Sequence, residues 1–323
     1  EEREIAGKLR AWAIETALPF WATTGYDARR GGFHERLDLA GAPDVACPRR
    51  TRVQARQIYV YAHAAVLGWH PDAAQIALRG LEFVLASSRS PDARPGYAHS
   101  LSADGEIANA LRDTYDHAFI LLALAWVARA TGDSQVHALI DEVLAFIDEH
   151  LAAENGGFHE GAPATTPRRQ NPHMHMFEAM LALHETVGHA EALPRARRIL
   201  TLLEQTFLDA QTRTIREYFD EDWRPAPGEL GDIIEPGHHA EWAWLLRKYE
   251  RLTGETPHVA ARHLVETACR FSEAGTGFLI DEADRFGRVR KATRRCWPQT
   301  ELAKAWLAEH EAGRPGAAEK AAQ

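Results

Sequence analysis

The residues of this chain that could do chemistry gather in four short clusters. The sharpest is Glu235-Pro236-Gly237-His238-His239-Ala240-Glu241. Glu235-Pro-Gly reads as a turn, His238 opens a helix, and Glu241 follows one turn later on the same face. The dipole at a helix N-terminus lowers a histidine's pKa, so His238 is expected to stay neutral near pH 7 and to serve as a base. Glu241 pulls the other way and is expected to hold its tautomer. Helical neighbours diverge by roughly 100°, so His239 turns elsewhere and is expected to pack.

Three further clusters carry polar groups of the same kind. In Arg50-Thr51-Arg52-Val53-Gln54-Ala55-Arg56, Arg52 and Arg56 share a helix face and suit charge-assisted bonds to hydroxyl or carbonyl oxygen. In Asn171-Pro172-His173-Met174-His175-Met176-Phe177-Glu178, His175 and Glu178 sit one turn apart, so the Glu can orient the His or hold a sugar. All three methionines, Met174, Met176 and Met180, lie in or beside that segment and read as core or pocket wall. In Arg294-Arg295-Cys296-Trp297-Pro298-Gln299-Thr300-Glu301, Pro298 suits a first helical turn, Trp297 can stack on a sugar ring, and Gln299 or Glu301 can bond hydroxyls. Asp113 and Asp116 read equally well as helix caps. A metal held by His173, His175, His238 and Glu241 is disfavoured, because two histidines spaced HxH on a helix point apart. No metal or cofactor is expected; GxGxxG, GxxxxGK[ST] and GxSxG are all missing.

Composition narrows the class. The 323 residues include 37 Lys+Arg against 46 Asp+Glu, a net charge of −9, with no basic stripe for nucleic acid. No apolar run approaches the ~20 residues that span a bilayer, and Glu1 to Arg10 reads as charged helix rather than a leader. Cys47, Cys269 and Cys296 are odd in number and widely spaced, which fits a reducing cytoplasm.

The elements that must position these clusters are helices. Apolar residues recur at helical spacing over 53–67, 118–129, 174–186, 240–252 and 302–310, with further helix over 136–151, 191–208 and 259–271. Extended pattern is confined to loops that start at Gly31, Pro95, Gly156, Thr214 and Thr276, in steps of 64, 61, 58 and 62 residues, where short β-hairpins are expected. The polar clusters keep the same period: Arg52, Asp113, His173, His238 and Trp297 are 61, 60, 65 and 59 apart. Hairpins stacked at a fixed period can close into a ring that gathers helix N-termini at one end. The expected organisation is one all-α domain over 1–312 with a flexible tail over 313–323.

Five motifs in this order, RTRVQARQIYVYAHA at Arg50, DTYDHAFILLALA at Asp113, NPHMHMFEA at Asn171, EPGHHAEWAWLL at Glu235 and RRCWPQTELAKA at Arg294, resemble the N-acylglucosamine 2-epimerase superfamily of sugar isomerases and epimerases. The resemblance implies an (α/α)6 barrel and cofactor-independent proton transfer at C2 of a sugar such as mannose, glucose, cellobiose or N-acetylglucosamine. It lays the acid/base role on His238 with Glu241, matches His175 and Glu178 to a second motif, and gives Arg52 the polarising of a substrate oxygen and Asn171 a contact to hydroxyls. Members commonly place a second catalytic His just before the tryptophan of the last motif; here Arg294-Arg295-Cys296 precede Trp297.

With one clear base, aldose–ketose isomerisation is the favoured expectation, mannose to fructose foremost. A cis-enediol lets one base carry the proton from C2 to C1, while Arg52 and Arg295 steady the enediolate oxygen. Three alternatives stay open: a 2-epimerase with His175 as second base; a hydrolase or lyase drawing on Asp113, Asp116, Glu178 and Glu241; and a non-catalytic sugar binder. A neutral sugar ranks ahead of a phosphorylated one met by Arg50, Arg168 and Arg169. The expected partners are a small sugar and, optionally, a second copy of the chain, with no nucleic acid and no membrane.

Overall fold

The helices expected from apolar spacing form, and each helix that carries a polar cluster starts a few residues earlier than its apolar run. A computed structural model describes residues 2–323; Glu1 lies outside them. The helices are α1 (Glu2–Trp12), α2 (Leu18–Thr23), α3 (Thr51–Leu67), α4 (Ala73–Ser87), α5 (Thr114–Thr131), α6 (Ser134–Phe146), α7 (Asn171–Val187), α8 (Ala192–Leu202), α9 (Pro236–Thr253), α10 (Ala261–Cys269), α11 (Cys296–Glu311) and α12 (Ala317–Ala322). No helix among the described residues is long and apolar enough to cross a membrane. α5 shows why sequence dictates placement. Its FILLALAWVA run is apolar on every side, and every residue from Thr114 to Ala128 is buried. Asp113 caps its N-terminus by accepting from Asp116 N–H at 3.0 Å, and Gly132, at φ 68°, ends it in a left-handed turn that a side chain would strain.

The contacts of the chain divide it into two compact units. The N-terminal unit comprises Ala6–Thr165 and Glu178–Leu193; the C-terminal unit comprises Thr166–Phe177 and Pro194–Gln323, with the first residues up to Ile5. In the first, α3 packs on α4 and α5, and α5 on α6; in the second, α9 packs on α10 and α11. The stretch from Gly313, expected to fray, instead carries α12, whose Ala317 is fully buried while Arg314 pairs with Glu266 and Glu309.

The expected loop hairpins appear as very short strands: β1 (Arg49–Arg50), β2 (Ser100–Leu101), β3 (Ile107–Asn109), β4 (Arg112–Asp113), β5 (Gly161–Ala162), β6 (Arg168–Arg169), β7 (Tyr218–Phe219), β8 (Ile233–Ile234), β9 (Glu282–Asp284) and β10 (Val289–Lys291). β3 and β10 form hairpins with β2 and β9, and the other pairings follow one rule. The strand leading into a cluster-bearing helix pairs antiparallel with the loop of the next repeat: β1 with β2, β4 with β5, β6 with β7, β8 with β9. A loop side chain is thereby delivered to the start of a helix about fifty residues before it.

A second device locks the loops. In the second turn of a helix, one side chain binds the backbone of a loop residue about twenty positions upstream. Gln54 accepts from Phe33 N–H and donates to Phe33 C=O, both at 2.7 Å. Gln299 does the same to Leu279 at 2.8 and 3.0 Å. His117 Nε2 accepts from Tyr97 N–H at 3.1 Å while Nδ1–H donates to the Asp113 carbonyl. His239 Nε2 accepts from Ile215 N–H at 2.9 Å while Nδ1–H donates to the Glu235 carbonyl. Imidazole and primary amide can both fill this place because each offers an acceptor for the loop N–H and at least one donor for a carbonyl. Burial lowers His117 and His239 to about 4, as only the neutral ring can accept the loop N–H. Gln299, expected on a sugar, is therefore spent on the protein's own backbone.

Candidate active site

The C-terminal unit gathers a buried hydrogen-bond chain around His238. α9 presents His238 in its first turn, 4% exposed, and Glu241 one turn on. The chain has a single polarity. Trp242, fully buried, can only donate, and its indole N–H meets Gln170 Oε1 at 2.7 Å. That turns the Gln170 amide nitrogen to donate to Glu217 Oε2 at 3.0 Å. Glu217 is thus an acceptor on both oxygens, and His238 Nδ1–H donates to its Oε1 at 2.9 Å. His238 Nε2 is left with no hydrogen-bond partner among the described residues. A histidine fixed at Nδ1 with Nε2 open is equipped to exchange a proton.

Two expectations are corrected here. The partner that sets the His238 tautomer is Glu217, while Glu241 Oε1 lies 3.6 Å from Nδ1 of His175. The charge state also differs. Burial by itself lowers His238, but Glu217, Glu235 and Glu241 outweigh it and raise the imidazole to about 9. The helix dipole cannot compete with three carboxylates. Glu217 is drawn below its usual range by His238 and Gln170 despite burial, whereas burial holds Glu235 above it. At pH 7 the imidazolium therefore dominates.

The wall beside this histidine is aromatic. The Trp297 ring centroid lies 5.1 Å from that of His238, tilted by 35°. Trp297 rests against the backbone of Gly237, where a Cβ would sit 2.7 Å from the indole. Arg295 reaches Glu235 at 3.1 Å and Asp281 at 3.2 Å and is half exposed. Asn171 opens α7, and its Oδ1 is buried with no hydrogen-bond partner, an acceptor ready for a hydroxyl. Glu178 lies one turn beyond His175 on the same helix, within the N-terminal unit. His173 is remote in role from His175: its ring packs on Phe207 and Trp223, Nδ1 bonds the Arg169 carbonyl, and burial lowers it to about 3. This removes it from any metal site with His175.

The N-terminal unit holds a second polar station. Arg52 Nε donates to Asp116 Oδ1 at 2.8 Å, and its Nη2 lies 3.5 Å from Asp113 Oδ1, the guanidinium stacked 4.4 Å above the Tyr115 ring. Asp113 combines this with its capping bond. His99 Nδ1 meets Asp116 Oδ2 at 2.7 Å. His99, Asp113 and Asp116 offer donor atoms close enough for a cation, but the Arg52 guanidinium already takes the cation's place beside both carboxylates. Of the arginines weighed for phosphate, Arg50 pairs with Glu35, and Arg168 is buried beneath Trp223, 3.5 Å from its ring centroid.

Sequence reasoning missed Glu217, Gln170 and His99. A signal for two of them was present. Glu35, His99, Glu160, Glu217 and Asp281 each lie two residues beyond a Phe, Tyr, Phe, Ile or Leu in the recurring loops, in steps of 64, 61, 57 and 64. Residues two apart on an extended segment share a face.

The comparisons agree with this architecture. The sequence profile of N-acylglucosamine 2-epimerase (GlcNAc 2-epimerase) matches residues 31–323. A mannose-6-phosphate isomerase of Rhizobium meliloti (strain 1021) is 37% identical over 310 residues, covering 93% of this chain and 78% of the relative. A D-mannose isomerase of Thermobifida fusca is 29% identical over 77% of this chain and 64% of its own length. The solved cellobiose 2-epimerase of Spirochaeta thermophila DSM 6192 superposes with a TM-score of 0.88 at 23% identity, covering 99% of this chain and 83% of that one. The fold class is accordingly the all-α (α/α)6 barrel of helical hairpins. With the profile matched from its first loop to its last residue, the chain belongs to the N-acylglucosamine 2-epimerase family of isomerases and epimerases.

Proposed function

We propose that this chain is a cofactor-independent aldose–ketose isomerase, with mannose and fructose as its first-choice pair. The observation that carries the reading is the locked Glu217–His238 pair with Nε2 open beside the Trp297 ring. In the open-chain aldose, neutral His238 takes the proton from C2. The C2–H electron pair becomes the C1=C2 bond, and the carbonyl π pair moves onto O1. Arg52 steadies that oxyanion. Transfer of the O2 proton to O1 and return of the carbon proton to C1 complete the ketose, with no atom or electron gained or lost. Asn171 holds a hydroxyl, Trp297 stacks on the sugar, and His175, Glu241 and Glu178 position it.

Exposed Cys296 stands where family members place a second histidine, which favours one-face isomerisation over epimerisation. The name of the Thermobifida fusca relative, D-mannose isomerase, favours mannose, whereas that of the Rhizobium meliloti relative names mannose 6-phosphate. Arg50 and Arg168 are occupied within the protein, which favours the unphosphorylated sugar. Incubation with mannose in D2O, followed by NMR, tests this. Fructose with deuterium at C1 is expected. Glucose without fructose, fully deuterated at C2, would establish an epimerase instead.

A further inference from the structure

Turning an aldose into a ketose moves two kinds of proton. One travels at carbon, from C2 to C1. The other travels at oxygen, from O2 to O1, and His238 has a single open nitrogen for both tasks. We propose that Glu235, the N-cap residue of α9 beside His238, is a second acid/base residue of the reaction and carries the oxygen-bound proton on its Oε1. This role rests on the proposed isomerase reading, with His238 acting at carbon. Every protein group it uses lies in the C-terminal unit.

Glu235 is held at backbone and side chain. Its C=O accepts from His238 N–H at 3.1 Å and from His239 Nδ1–H at 3.0 Å. The carboxylate makes no capping bond to α9; instead Arg295 Nη2 donates to Oε2 at 3.1 Å. Oε1 has no hydrogen-bond partner among the described residues, and the side chain is 16% exposed. A carboxylate oxygen of Glu235, one of Glu217 and a ring nitrogen of His238 lie within 4.8 Å of one another. Trp297 flanks the pair, its centroid 5.1 Å from the His238 ring and 5.3 Å from the Arg295 guanidinium. The neighbouring carboxylates look different: Glu217 and Asp281 spend both oxygens on protein donors. The titratable and charged groups facing Glu235 are Glu217 just before β7, Tyr218 within it, His238 from α9, Glu282 from β9 and Arg295 at the cap of α11. Burial holds the carboxyl above its usual range, against His238 and Arg295, with Glu217 and Glu282 adding to the rise. Because Oε2 accepts from Arg295, the proton of the neutral acid falls on Oε1, the open oxygen.

The step balances. His238 starts neutral and Glu235 protonated. As the C2 proton passes to His238 Nε2, the C2–H pair forms the C1=C2 bond, and the carbonyl pair on O1 takes the Oε1 proton. The products are a neutral enediol, an imidazolium and a carboxylate. Glu235 then removes the O2 proton, the O2–H pair forms the new carbonyl, and the C1=C2 pair takes its proton from His238 at C1. Both side chains end as they began. Their starting form differs from the imidazolium–carboxylate form only in the position of one proton, so its share is constant between the two pKa values of the pair.

The test compares wild type with Glu235→Gln in D2O and across pH, with mannose as the probe. Gln matches Glu in size and can still accept from Arg295, but it carries no acidic proton. The wild-type kcat/KM should climb to the Glu235 value, run flat toward about 9, and fall above it. In Glu235→Gln, kcat should fall by about 10²-fold or more with KM little changed. The fall above about 9 should vanish, since only neutral His238 is then required. Recovered mannose should carry about tenfold more C2 deuterium per fructose formed, because the enediolate returns to C2 when the O2 proton has no acceptor. A carboxylate that merely tunes His238 predicts the opposite sign: its loss lowers the imidazole pKa, leaves more of the ring neutral at pH 7, and keeps or raises kcat/KM. Glu235→Asp, checked with Glu235→Gln by thermal unfolding, should keep the fall above about 9. A Glu235→Gln enzyme whose kcat at pH 7 stays within threefold of wild type overturns the proposal. So does one that loses activity with the wild-type profile and exchange ratio intact. A wild type that exchanges no carbon-bound proton in any aldose overturns the isomerase reading and this role together. An active wild type with an equally active variant overturns this role alone.

Discussion

Each unit pairs a histidine with a carboxylate through Nδ1, yet the surroundings differ. In the C-terminal unit, Glu217 binds His238 and is itself fed by Gln170 and Trp242, neutral donors, so nothing nearby in that chain offsets the carboxylate charge. In the N-terminal unit, Asp116 is shared with Arg52, whose positive charge opposes protonation of His99. The same pairing therefore gives a strongly basic imidazole in one place and a milder one beside a fixed cation in the other. A strong base suits the weakly acidic C–H bond. Sequence position is no guide to either state: His238 is raised to about 9, while its neighbour His239 is lowered to about 4.

Breaking one side of the contrast should have the larger consequence. Glu217→Gln removes the charge that raises His238 and leaves the tautomer unlocked. The imidazole pKa should drop toward its ordinary value, so kcat/KM begins to rise at lower pH. The ceiling should fall by about 10- to 100-fold, because the proton is no longer held on Nδ1. Asp116→Asn, which leaves Arg52 in place, should cost less and leave the limb near 9 unmoved. A Glu217→Gln enzyme with an unshifted profile would erase the difference drawn between the two carboxylates.

Much of this was legible in sequence. The all-round apolar run of α5 and the sixty-residue period required only helix spacing and counting. His238 and Arg52 stood out at helix starts. Glu217 and His99 did not, because strand pairs of two or three residues bring them to their helices, and such strands leave almost no pattern. The protonation of His238 was read with the wrong sign for the same reason: the helix dipole is visible in α9 alone, whereas Glu217 arrives from a loop 21 residues upstream. Gln299 was misjudged because a staple and a sugar contact use the same amide.

The staples supply a smaller prediction that separates structural from chemical histidines. His117 and His239 are neutral when folded to about pH 4, but unfolded histidine takes a proton near 6.5. As pH falls from about 6.5 toward 4 the unfolded state binds protons first, so stability should be lost across that window. His239→Gln, using the residue already present at positions 54 and 299, should weaken this acid sensitivity in thermal unfolding monitored by circular dichroism. An unchanged pH dependence would show that the ring is not the group that resists protonation. Smaller still, Gln299→Ala should destabilise by about 1–3 kcal/mol through the orphaned Leu279 N–H, with KM for sugar nearly unchanged; a large rise in KM would return Gln299 to the sugar.

The central claim is that Nε2 of His238 moves the carbon-bound proton. The direct measurement is deuterium wash-in at C2 of mannose in D2O by wild type and His238→Asn, with sugar affinity measured on the same samples. Wash-in should fall by about 10³-fold or more while affinity stays within about fivefold. A His238→Asn protein that still exchanges within tenfold of wild type would contradict it.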